Sequence, residues 1–250
     1  MSAGFQAWTD SGLVQIDGTT QNCALRQTIS VTTAPGTIDA FKSNGGTQYT
    51  FSANVANLTI SATAPLIALY SPSAYATILR CKNNSDGTWS VQIWTNVAAA
   101  VTVYIFDQAQ AAVPSGTGFG LQVFDQNGAL IADARQRLAR VIDMQSGNIM
   151  GASADWGQWN QVDQRTYSWT YPGPSKVGVA AIGTAFVGSP TGGGTASDGW
   201  YNVSALQTVG NTVNFNYAYY QVGSTSHPGD NVAFGSQFDW RFMAIDLSNL

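Results

Sequence analysis

The 250-residue chain contains no glutamate, and its fourteen acidic side chains are all aspartate. Lysine occurs only as Lys42, Lys82 and Lys176, histidine only as His227, and charged residues are 10% of the chain, far below the usual quarter or so. Glu and Lys ordinarily coat the solvent face of helices, so their scarcity argues against a helical protein. The net charge of −4 and the shortage of clustered Lys and Arg argue against nucleic-acid binding, which needs cations to displace phosphate counterions. No apolar run approaches the ~20 residues of a membrane-spanning helix. The start, MSAGFQAWTDSG, lacks the basic and apolar regions of a signal peptide, so a protein made and kept in the cytosol, or built into something assembled there, is expected. Cys23 and Cys81 form no CxxC pair, so no zinc site is expected, and buried thiols are favoured over a disulfide. No cofactor is expected.

Thr, Val, Ile and the aromatics, which suit a pleated sheet, fill the chain together with Gly and Asn, which suit turns. An all-β protein with a polar, uncharged surface follows. One stretch begins the chain a second time. Residues 4–17, GFQAWTDSGLVQID, align without a gap on residues 120–133, GLQVFDQNGALIAD, at an offset of 116. Gly4, Gln6, Gly12 and Asp17 match Gly120, Gln122, Gly128 and Asp133. Each copy reads as a run, a turn pair (Ser11-Gly12 or Asn127-Gly128) and a second run, which is a hairpin signature. Short strand-like runs follow each copy, and each series closes on an alternating strand that runs into aspartate, at Phe106-Asp107 and Ile245-Asp246. The segment 131–144 carries a helical stripe, but its counterpart in the first copy is rich in Thr and contains Gly18. Strand and loop are expected in both.

Regularly spaced short strands with turn signals imply a sandwich in each half. The expected architecture is two tandem β-sandwich-like domains, each preceded by a β-hairpin: residues 1–112, and 116–250 with a Trp-rich loop. AQAAVPSGTG (109–118) reads as the linker.

The second hairpin, GLQVFDQNGALIADARQRLARVI, resembles a segment of the minor tail, tail-tip and fibre-associated proteins of tailed bacteriophages. In that pattern a G-[LF]-Q-[VI] strand, a turn and a second apolar strand ending in Asp precede an Arg-Leu element, here Arg137-Leu138. The first copy departs from it, with Leu25-Arg26 in reverse order and later. The resemblance implies a structural virion protein without catalysis, located in the tail and assembled in the bacterial cytoplasm. It implies partners among other tail or baseplate proteins, and a symmetric homo-oligomer, with a trimer favoured. Contact with a host surface glycan or protein is a further implied role. An uncharged polar surface fits this, because it lowers the desolvation cost of large protein contacts.

The residues themselves offer little catalytic chemistry. His227 lies in STSHPGDNV, which is turn chemistry, and no G-x-S-x-G elbow accompanies it. Asp155, Asp163, Asp198, Asp230 and Asp239 could pair for glycoside hydrolysis, but all except Asp239 sit among residues where Asp bonds its own backbone. GTGFG (116–120) lacks the Lys-Ser/Thr of a phosphate loop. No catalytic residue is expected.

Two stretches suggest contacts. ARQRLAR (134–140) holds Arg135, Arg137 and Arg140, which read either as a solvated face or, with Phe5 and Trp8, as a protein interface. SADWGQWNQVDQRTYSWTYPGP (153–174) gathers Trp156, Trp159, Tyr167, Trp169 and Tyr171. These rings cap the second sandwich, meet a protein partner, or stack on sugar. The last option makes the chain a carbohydrate-binding adhesin module. GSPTGGGTASDGW (188–200) reads as a flexible exposed loop that could carry recognition.

Overall fold

The structure, a computed structural model, describes residues 6–8, 14–17, 22–42, 48–108, 120–149, 165–191, 197–225 and 236–250. Among them every regular element is a strand. Two small hairpins stand at the head of the two halves. The first pairs β1 (Gln6–Trp8) with β2 (Val14–Asp17), and the second pairs β10 (Gln122–Phe124) with β11 (Leu130–Asp133). Their registers coincide at the offset of 116. Gln6 faces Asp17 as Gln122 faces Asp133, Trp8 faces Val14 as Phe124 faces Leu130, and each has an irregularity before its aromatic. The Asn-Gly turn is set by Asp125, whose carboxylate accepts the Asn127 and Ala129 N–H groups at 2.8 and 2.7 Å. Gly128 takes a φ of 82° there, a conformation that costs glycine little.

The first half continues with β3 (Cys23–Thr32), β4 (Ala34–Lys42), β5 (Gln48–Ser61), β6 (Leu66–Tyr70), β7 (Ala76–Asn83), β8 (Thr88–Thr95) and β9 (Ala100–Gln108). The second continues with β12 (Arg140–Asn148), β13 (Arg165–Thr170), β14 (Val177–Gly183), β15 (Phe186–Thr191), β16 (Ser197–Val209), β17 (Thr212–Thr225), β18 (Ser236–Gln237) and β19 (Asp239–Asp246). One sheet runs β12-β19-β14-β6-β9-β3, and the other runs β13-β17-β16-β7-β8-β5-β4, with β15 beside β16 and β18 beside β15. Each half therefore supplies an equivalent trio to each sheet. β3, β9 and β6 correspond to β12, β19 and β14, and β5, β8 and β7 correspond to β13, β17 and β16. The offset of 116 extends through β3, because Ala24 faces Asp107 as Arg140 faces Asp246.

Both sheets continue across the middle, where β6 pairs with β14 at Leu69 and Val179, and β7 pairs with β16 at Ala76 and Leu206. The six-stranded sheet is also rolled. The Leu25 N–H donates to the Arg137 carbonyl at 2.7 Å and the Ala139 N–H to the Cys23 carbonyl at 2.8 Å. Those bonds draw the starts of its two edge strands together. Ala68, Tyr104 and Phe106 of the first half meet Ala180, Ile245 and Leu247 of the second inside the roll.

Residues 131–144 form strand, turn and strand, as expected. The segment 188–200 is not a loop throughout: β15 and β16 pair from Phe186 and Val203 out to Thr191 and Asp198. Phe186, Val187, Trp200, Tyr201 and Val203 are residue types that favour a strand there. Both cysteines are free, and Cys81 is exposed rather than buried, because the outer end of β7 extends past the core. The proposed linker and the boundaries at 112 and 116 lie outside the described residues.

Candidate interaction surface

Val123, Ile131 and Ala132 of the second hairpin are buried together, while its Leu121 and Phe124 are 57% and 51% exposed. Its base is locked by Asp133, which is fully buried. The Asp133 carboxylate accepts bonds from the Arg135 backbone N–H and Nε at 2.9 Å each, from Gln122 Nε2 at 2.8 Å, and from Arg135 Nη2. The Arg135 guanidinium, followed by these other donors, outweighs burial and holds the Asp133 carboxyl well below the usual carboxylate range. Gly120 completes the lock, since a Cβ there would press on the Arg135 side chain at 3.0 Å.

The three arginines of ARQRLAR thus have different tasks. Arg135 is tied to Asp133, Arg140 Nη1 binds the nearly buried Asp246 at 3.0 Å, and Arg137 lies exposed on the surface. Trp8 lies in β1 opposite Val14. Phe5, Trp156 and Trp159 lie outside the described residues, as do His227, Asp155, Asp163 and Asp230. Asp198 lies in β16, and Asp239 accepts a bond from Asn148 Nδ2 at 2.7 Å.

The rest of the aromatic stretch lies on and beside β13. Trp169 packs edge-on against Phe242 with ring centres 5.3 Å apart, and against Trp240 at 6.1 Å. The Tyr171 hydroxyl donates to Asp143 Oδ2 at 2.9 Å. Burial first, then that carboxylate, push the Tyr171 phenol well above its ordinary value. Trp169 and Tyr171 border the second core. Tyr167 is 43% exposed, with its ring near Trp169, Phe215 and Trp240.

Two further charged side chains were assigned no contact from the sequence. Asp107, fully buried at the end of β9, accepts the Thr63, Ala64 and Gln108 N–H groups at 2.8, 2.9 and 2.9 Å and binds Arg26 Nη1 at 3.0 Å. The repeated strand ending in Asp was its signal. Lys176 of the second half sits over the rings of Tyr70 and Tyr104 of the first, 4.5 and 5.0 Å from their centres, a cation–π arrangement. An open cleft of about 380 Å³ marks the outer side of the junction, lined by Leu66, Ile67, Leu79, Ala181, Ile182 and Phe186. Among the described residues no cluster of three His, Cys or Asp side chains could hold a metal ion, and no helix is long and apolar enough to cross a membrane.

A scan of family models and searches of curated proteins and of solved structures return no match to this chain.

Proposed function

We propose that this chain is a structural protein of a bacteriophage tail, at the tail tip, baseplate or fibre attachment, and that it works by protein–protein contact without catalysis. The observation that carries this reading is the second hairpin. It buries Val123, Ile131 and Ala132 and leaves Leu121 and Phe124 exposed. Large apolar side chains presented on a rigid, locked hairpin are what a protein interface uses as anchors. The offset of 116 puts Phe5 and Trp8 at the corresponding positions of the first hairpin, so the sequence supplies the device twice. Arg137, exposed beside the second hairpin, adds the residue type most suited to an interface rim. The chain acts within a symmetric oligomer, with a trimer favoured, among other tail proteins.

Gold-labelled antibody to the recombinant chain should decorate particles at the tail end. Leu121→Ser with Phe124→Ser should leave the fold intact and reduce incorporation into particles. Unlabelled particles, intact or disrupted, would remove the virion reading. The carbohydrate-binding alternative rests, among described rings, on Tyr167, since Trp169 and Tyr171 are engaged with the core. It predicts that host polysaccharide shifts tryptophan fluorescence and that Tyr167→Ala removes the shift.

A further inference from the structure

We propose that the two halves are a self-sufficient pair: the seam between them holds without the peptide connection at 109–119, and its surface on each half fits a second repeat of the same fold. The seam is symmetric whatever assembly the chain enters. In the outer ladder Ala24 bridges Leu138. Shifting Ala24 forward and Leu138 back by 116 gives Arg140 and Asn22, which belong to that same antiparallel register. In the central ladder Leu69 faces Val179. Leu66 and Gly178 occupy matching places beside β9 and β19, so exchanging the halves turns this pair into Ala181 and Ile67, again the same register. One twofold relation therefore serves both ladders. An interface of this kind is isologous, with each surface complementary to its own kind.

The seam is also built like an interface that persists. Its centre is apolar and closed, with Ala68, Phe106, Ala180 and Ile245 at 0 or 1% exposure. On the far face of the larger sheet, Ile38, Val55 and Trp94 of the first half pack with Val203 and Ala205 of the second. Several polar groups pair across the seam. The Ser71 N–H donates to Thr208 Oγ1 at 2.8 Å and the Thr208 N–H to the Ser71 carbonyl at 3.1 Å. Thr77 and Thr184 hydroxyls meet at 2.9 Å, and Gln207 Nε2 donates to the Pro72 carbonyl at 3.0 Å. Lys176 adds its cation to two tyrosine rings of the other half. An apolar centre with hydrogen bonds at its rim is the anatomy of a stable protein–protein interface.

The test is to place a protease site flanked by Gly and Ser within 109–119 of the full chain and cut it completely. The cut protein should elute as one species near the 26.4 kDa of the intact chain and unfold in one transition. Thr208→Val keeps the shape but strands the Ser71 N–H, so it should raise the dissociation constant of the cut halves about ten-fold. Separate elution of the two fragments, precipitation on cutting, or a cut pair indifferent to Thr208→Val would overturn the proposal.

Discussion

The two halves share one strand plan and fill it with different chemistry. Between the sheets the first half packs Ile60, Ile67, Leu69, Val91, Ile93, Val101, Val103 and Ile105, an aliphatic set with Trp89 at its margin. The second packs Phe215, Tyr217, Trp240 and Phe242 with smaller residues, and Trp169 and Tyr171 close its margin. Matching positions make the exchange explicit. Val31 faces Val101 in the first half, and Gly147 faces Trp240 in the second. A Cβ on Gly147 would run into the indole. A backbone plan thus survives replacement of its core provided that volume is conserved pair by pair.

That comparison should break first where the rings are removed. Trp240→Ala should cost about 3–5 kcal/mol, and Val101→Ala at the matching position about 2 kcal/mol. Denaturant titration of the two variants reads the difference directly. Equal losses would mean that the second core does not depend on its rings. Next in size is Gly147→Val, which should cost about 2 kcal/mol through overpacking. Adding Trp240→Val rebuilds the Val–Val pair of the first half and should recover part of that loss. Losses that simply add would show that the two residues do not share space.

Much of this plan was legible in the sequence, and for a physical reason. Hairpins, turn pairs and a strand closing on aspartate are local patterns, so the offset of 116 survived in residue types that turns and locks require: Gly120, Gln122, Gly128 and Asp133. The all-β class followed equally from composition. The seam was not legible. LIALY and VGVAAIG are apolar runs that suit any buried strand, and nothing in them says that β6 and β14 are neighbours across the junction rather than members of separate sandwiches. Strand β13 was obscured because exposed Thr166, Tyr167 and Ser168 interrupt the apolar alternation. The division of labour in ARQRLAR was hidden because the acids that claim Arg135 and Arg140 are fixed by the fold, and Asp246 lies at the far end of the chain.

The smallest expected contrast concerns the two aspartates that end β9 and β19. Their backbone places are equivalent, but their partners are not. Asp107 is fully buried and has three backbone N–H donors besides Arg26, whereas Asp246 holds the half-exposed Arg140 and the Ser248 N–H at 2.9 Å. Burial raises the Asp107 carboxyl, but the Ala64, Thr63 and Gln108 N–H groups and then Arg26 together bring it below its ordinary value. A carboxyl depressed in the fold stabilises fully above its unfolded pKa of about 3.9, and that contribution is lost as the pH falls from there through the lower folded value. Asp107→Asn should therefore cost about 2 kcal/mol near neutrality, and its difference from the wild type should shrink below about pH 4. Asp246→Asn, losing a pair whose arginine is half exposed, should cost less than about 1 kcal/mol. Unfolding curves from pH 7 to 2.5 compare them. If Asp246→Asn proved the costlier, the acid that matters would be the one facing the C-terminal turn, and the two halves would differ in what anchors their closing strands as well as in what fills their cores.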